Sequence, residues 1–183
     1  MSMSETDKPR IYTIGHSNHT LDEFIMSLRS FSIKNLVDVR RFPGSRKFPH
    51  FNQENLAQGL KASGINYIHL EGLGGRRKAQ VNSKNSRWRN VSFRGYADYM
   101  ETADFEKAVR KLEEIAFKQP TAYMCSEAVW WRCHRALVSD YLKAKGWLVL
   151  HIMSANKSDE HPYTSPAKVV DGKVSYADGN LFI

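Results

Sequence analysis

Five short apolar runs, at 11–14, 36–39, 65–70, 121–124 and 147–152, alternate along this chain with stretches of helical period. Parallel strands need a long crossover, usually a helix. The alternation therefore predicts a single three-layer α/β domain whose mostly parallel five-stranded sheet is covered by helices on both faces. At 183 residues the chain fits one domain with a full core. We read residues 1–10 as a flexible N-terminus and 11–183 as the domain.

Local signals fill in this frame. Thr20 and Glu23 form a capping box ahead of Leu21, Phe24, Ile25 and Leu28, which share one helical face. Leu56 and Leu60 mark a second helix, with Gly64 as its stop. Asp104 is the expected cap of a helix carrying Phe105, Val109, Leu112 and Ala116 inward. Asp171-Gly172 between β-branched residues predicts a C-terminal hairpin.

With 42% hydrophobic and 25% charged residues the composition is that of an ordinary globular protein, and no apolar run reaches 18 residues, so a cytoplasmic protein without membrane contact is expected. Two cysteines do not make a disulfide framework in a chain this long. The net charge of +8 is concentrated. Between Gly72 and Arg94 there is no acidic residue, while Arg76, Arg77, Lys78, Lys84, Arg87, Arg89 and Arg94 contribute seven positive charges. Trp88 and Phe93 lie among them, and aromatic planes stack on bases while guanidinium groups hold phosphates. We expect this segment to be exposed, poorly ordered without a ligand, and to bind DNA or RNA through Arg76, Arg77, Lys78, Arg87, Trp88 and Arg89. The bland alternative is a solvated loop.

In a parallel sheet the strand exits share one edge, where ligands bind. Those exits carry His16 and Ser17, then Asp38 and Arg40, then Glu71, then Cys125 and Glu127, then His151. Residues 123–135, YMCSEAVWWRCHR, hold both cysteines, Glu127, His134 and Arg135. Three chemistries suit them. Cys125 can serve as a thiolate nucleophile with Glu127 or His134 moving protons, although Arg132 follows it one residue too late for a cysteine-phosphatase loop. Cys125, Cys133 and His134 are zinc donors by type, but consecutive helix residues point about 100° apart, so we expect no metal. Glu127 can act as a general base, with Arg40 and Arg135 gripping a phosphate or carboxylate.

The segments YTIGHS, VDVRRFP, LEGLGG, FRGYADYM and MCSEAVWWRCHR together resemble domain of unknown function family 488 (DUF488), from about Tyr12 to the C-terminus. The resemblance implies an α/β fold and a set of motif positions, and it brings no settled activity. From the residues we expect an enzyme acting on a phosphate-bearing substrate, a nucleotide or nucleic acid, at the C-terminal sheet edge. Cys125, Glu127 and His134 would be catalytic, and His16, Ser17, Asp38, Arg40 and Arg135 would bind the anion, with no cofactor. The alternative is a non-catalytic nucleic-acid-binding module built on segment 72–94. Oligomeric state and strand order are not encoded in any motif.

Overall fold

The computed structural model describes residues 8–179. Its elements are β1 (Arg10–Gly15), α1 (Leu21–Ser30), β2 (Asn35–Asp38), α2 (Gln53–Ala62), β3 (Asn66–His69), α3 (Val91–Met100), α4 (Ala103–Lys118), β4 (Thr121–Cys125), α5 (Arg135–Ala144), β5 (Leu148–Ser154), β6 (Lys157–Glu160), β7 (Lys168–Val170) and β8 (Lys173–Ser175). Residues 1–7 of the expected flexible terminus lie outside the described part. Arg10 already belongs to β1, and the Pro9 carbonyl accepts from the Leu148 N–H at 2.8 Å, so the ordered domain begins earlier than expected.

The sheet order is β3-β2-β4-β1-β5-β6, with β1 to β5 parallel and β6 antiparallel at the edge. The expected three-layer, mostly parallel architecture is present, and a sixth strand extends it. Its sequence, Lys157–Glu160, has no apolar alternation, so only its pairing with β5 defines it as a strand. Alternate residues of each strand feed two cores. Ile11, Val37 and Tyr123 pack with Tyr96, Phe105, Leu112 and Leu137 of α3, α4 and α5 on one face. Tyr12, Leu36, Ala122 and Met124 pack with Phe24, Leu28, Leu56 and Leu60 of α1 and α2 on the other.

One consequence of this order places the site. Strands β1 and β4 are neighbours, yet the helix after β1 covers one face while the helix after β4 covers the opposite face. The two chains diverge as they leave the sheet and open a crevice between them, the arrangement that marks ligand sites in open α/β sheets.

The local signals hold with one shift. The Thr20 and Glu23 capping box is formed in both directions. Helix α4 is capped by the Thr102 side chain, two residues before the expected Asp104, which sits in the first turn and complements the helix dipole instead. Asp171 and Gly172 both have positive φ, 51° and 72°, as a two-residue hairpin turn requires.

Segment 72–94 departs from expectation. It is held to the domain rather than poorly ordered. The Asp98 carboxylate of α3 accepts from the Gln80 N–H at 2.8 Å, the Ser83 hydroxyl and the Asn85 amide at 2.9 Å. Arg87 donates to the Pro166 and Ser165 carbonyls, and the Trp88 ring packs against Phe93 at 4.9 Å and Tyr176 at 5.7 Å. The charge pattern gave no sign of these anchors because most partners, Asp98, Ser165, Pro166 and Tyr176, lie outside the segment. Asp98→Ala removes three hydrogen bonds to a carboxylate, each of about 1.5–3 kcal/mol. We expect trypsin cleavage within 76–89 to accelerate by roughly 100-fold, as for a locally opening segment. An unchanged cleavage rate would mean that these bonds do not hold the segment in solution.

Candidate functional site

The crevice between β1 and β4 opens into a cleft of about 820 Å³, walled by the loops that leave β1, β2 and β4 and by the start of α3. At this volume it suits a ligand the size of a nucleotide.

Its floor is a cluster of two sulfurs and an imidazole. Cys125 ends β4, and Cys133 and His134 lie just before α5, after a short turn of 3-10 helix at Trp130–Arg132. Cys133 is extended, with φ −132° and ψ 150°, and only after His134 does the α-helix begin. The two neighbours are therefore not successive helix positions, and both side chains turn toward Cys125, contrary to the divergence expected from a helix. His134 Nδ1 is 3.7 Å from Cys133 Sγ and 4.0 Å from Cys125 Sγ. On the other side of the ring, Nε2 donates to the Val39 carbonyl at 3.2 Å, which leaves the Nδ1 lone pair facing the sulfurs.

The two thiols are unequal. Cys125 is pushed up to about 12 by the neighbouring Cys133 sulfur and by burial. Burial opposes ionisation of Cys133 too, but the Cys125 thiol, the Arg135 charge and the Arg135 N–H at 3.5 Å outweigh it and bring Cys133 down to about 6. The two shifts run in opposite directions, so Cys133 ionises before Cys125.

Positive charge surrounds the cluster. Arg40, Arg41, Lys47, Arg76 and Arg132 line the cleft, against one carboxylate among the described residues, that of Glu127. Arg40 is partly engaged: Nε and Nη2 grip the Asp38 carboxylate at 2.6–3.1 Å, which the Tyr67 hydroxyl also reaches at 2.6 Å. Phe42, 62% exposed, has the Arg41 and Arg76 guanidinium groups at 5.6 and 5.8 Å from its ring centroid. His16 stacks on Phe51 at 4.2 Å and donates from Nδ1 to the Ser17 carbonyl, while its buried Nε2 has no partner among the described residues.

Behind the floor runs a buried chain of hydrogen bonds. Arg135, 1% exposed, donates from Nη2 to the Glu127 carbonyl at 2.6 Å and from Nη1 to the Thr13 hydroxyl at 3.1 Å. Thr13 meets His151 Nδ1 at 2.7 Å, His151 Nε2 meets His161 Nδ1 at 2.9 Å, and His161 Nε2 meets Asp140 Oδ1 at 3.0 Å. A guanidinium can only donate and a carboxylate only accept, so the chain links a buried cation to a buried anion. Gly15 must lack a side chain here, since a Cβ would lie 1.8 Å from the Glu127 carbonyl oxygen and 2.8 Å from Arg135 Nη2.

Residues 20–142, 123 of the 183, match the family described as Domain of unknown function DUF488. The chain belongs to the DUF488 family. Comparison with curated proteins and with solved structures gave no match. The matched region includes the DUF488 segment MCSEAVWWRCHR, which carries the whole sulfur–imidazole cluster. His16 lies just before it.

Of the DUF488 residues expected at the site, His16, Ser17, Arg40, Cys125, Glu127 and His134 line the cleft, and so does Arg76 from the basic segment. Asp38 and Arg135 do not: both are buried, Asp38 as the partner of Arg40 and Arg135 as the anchor of the Glu127 carbonyl. Of the residues assigned to nucleic acid, Arg77 lies over Tyr99 at 3.6 Å and donates to the Gly74 carbonyl, Arg87 is tied to 165–166, and Trp88 is packed; Lys78 and Arg89 are exposed. Sequence reasoning passed over Arg41, Phe42, Lys47 and Arg132. The signal was the density of cationic and aromatic residues just after β2, in RRFPGSRKF.

Two buried histidines give this DUF488 chain an acid-sensitive stability. Burial lowers His16 from 6.5 to about 4 and His151 from 6.5 to about 2, so both stay neutral in the folded state while the unfolded chain takes up protons below pH 6.5. The unfolded state then binds more protons, and stability falls as pH drops, over the window 6.5 to about 4 for His16 and 6.5 to about 2 for His151. Each histidine contributes a limiting slope of about 1.4 kcal/mol per pH unit. Urea unfolding at pH 7, 6 and 5 should show this loss, and His16→Gln should reduce the slope by close to one proton. An identical slope in the variant would remove His16 from the account.

Proposed function

We propose that this protein is an enzyme acting on a phosphate-bearing substrate, a nucleotide or the end of a nucleic acid, in the cleft at the C-terminal edge of the sheet. The observation that carries the reading is the convergence of five cationic side chains and one sulfur–imidazole cluster on a single cleft. Guanidinium and ammonium groups in a cleft with one carboxylate favour a polyanion, and a dianionic phosphate satisfies several of them at once. The exposed Phe42 ring, with two guanidinium groups near it, supplies a stacking plane for a base. Glu127, exposed in the wall, is the carboxylate left to move a proton, and the cluster beneath supplies the reactive atoms. The rival reading, a non-catalytic nucleic-acid module on segment 72–94, is weakened because Arg77, Arg87 and Trp88 serve the segment's own attachment.

Binding of adenosine monophosphate, inorganic phosphate and a 5′-phosphorylated tetranucleotide can be followed by calorimetry, and turnover by phosphorus NMR. We expect Arg41→Ser combined with Arg76→Ser to weaken all three ligands at least tenfold, on the scale of one or two lost charged hydrogen bonds. Phe42→Ala should weaken the nucleotides alone, base stacking being worth about 1–3 kcal/mol. Glu127→Gln should leave affinity nearly unchanged and abolish turnover. Saturable binding without turnover of any ligand would favour the binding module, and no saturable binding at low salt would sink the phosphate reading.

A further inference from the structure

We infer that Cys125, Cys133 and His134 form a binding site for a thiophilic divalent cation such as zinc, with one coordination position open to the cleft. The inference stands on donor geometry and does not depend on what the rest of the cleft binds.

The three donor atoms lie within 4.8 Å of one another, and the two sulfur-to-nitrogen distances are 3.7 and 4.0 Å. Around a tetrahedral zinc, bonds of about 2.3 Å to sulfur and 2.0–2.1 Å to nitrogen set donor separations of ~3.6 Å from sulfur to nitrogen and ~3.8 Å between sulfurs. The sulfur-to-nitrogen edges thus need to close by a few tenths of an ångström at most. No disulfide joins the cysteines, so both sulfurs are available.

The imidazole is already aimed. Its Nε2 is held by the Val39 carbonyl, the kind of outer hydrogen bond that fixes the tautomer and orientation of a ligating histidine and leaves Nδ1 as the donor. The three donors come from two elements whose relation is set by the sheet: Cys125 from the end of β4, Cys133 and His134 from the turn into α5. Coordination would require little ordering of the chain, because Cys125 and Cys133 are buried and the loop between them is tied by Arg135 to the Glu127 carbonyl.

Three protein donors are one fewer than a closed structural site contains. Gly75 packs beside His134 Nδ1, where a Cβ would stand 3.0 Å from that nitrogen. All three donors line the cleft, so the inferred fourth position would open toward it. Glu127 lines the same cleft without belonging to the donor cluster. Two cysteines, one histidine and an open position are the composition of a catalytic rather than a structural zinc site, and a water held there would pass its proton to a nearby carboxylate as it became hydroxide.

The test uses the full chain, purified without chelator, analysed for metal, then stripped and titrated with cobalt(II) and zinc(II). We expect one cation per chain, and with cobalt both a sulfur-to-metal charge-transfer band and the visible absorption of tetrahedral coordination. Zinc should raise the melting temperature of the parent and displace the cobalt spectrum. Cys125→Ser, Cys133→Ser and His134→Ala should each lose at least 100-fold in cobalt affinity. Circular dichroism of the stripped variants separates loss of a ligand from loss of the fold. Gly75→Ala, which leaves all three donors in place, should perturb the cobalt spectrum by crowding the fourth position. The Arg41→Ser, Arg76→Ser double variant should bind cobalt as the parent does, so failure of the phosphate reading leaves this inference standing. No uptake by the stripped parent at micromolar cobalt, uptake without a sulfur band, or uptake unchanged in folded Cys133→Ser would each overturn it.

Discussion

A guanidinium buried to 1% exposure is the constraint around which the centre of this molecule is arranged. Arg135 has no direct carboxylate partner among the described residues. Its charge is balanced at a distance, through Thr13, His151 and His161, by Asp140, which also accepts from Thr164 and Tyr176. Removing one end of such a chain strands the other in a low-dielectric interior, a loss of about 3–5 kcal/mol for a broken buried pair. The chain crosses from α5 to β1, β5 and the residue after β6, so it ties the sheet to the C-terminal region. Its outer end holds the Glu127 carbonyl, and Gly15 leaves room for that contact.

The same arginine shapes the chemistry of the cleft. Its charge and backbone N–H stabilise an ionised Cys133, against the burial that would keep the thiol neutral. The divergence of α1 and α5 to opposite faces opens the space above. Two sulfurs and an imidazole thus lie beneath a rim of cationic side chains.

Basic residues divide into two groups that sequence alone does not separate. Arg77, Arg87 and Arg94 donate to backbone carbonyls at Gly74, Pro166 and Trp88, replacing hydrogen bonds that a long irregular connection would otherwise lack. Arg41, Lys47, Arg76 and Arg132 face the cleft. Trp88 and Phe42 divide in the same way, the first packed under the segment and the second 62% exposed at the rim.

The alternation of strand and helix, the Thr20 capping box, the Asp171-Gly172 turn and the sheet edge at which His16, Arg40, Cys125 and Glu127 gather were all legible in the sequence. Each depends on residues close together in the chain, where a period of two or 3.6, a cap or a positive φ leaves a local mark. Tertiary structure alone decided that Cys133 and His134 both turn toward Cys125, that Arg135 points inward while Arg132 points out, and that Lys157–Glu160 adds a strand. Those outcomes depend on where elements far apart in sequence meet. His134 takes its direction from a carbonyl on β2's exit 95 residues away, and Arg135 from a hydroxyl on β1 122 residues away. A side chain between packed elements is aimed by partners that the surrounding residues do not specify, and the site is made of such side chains.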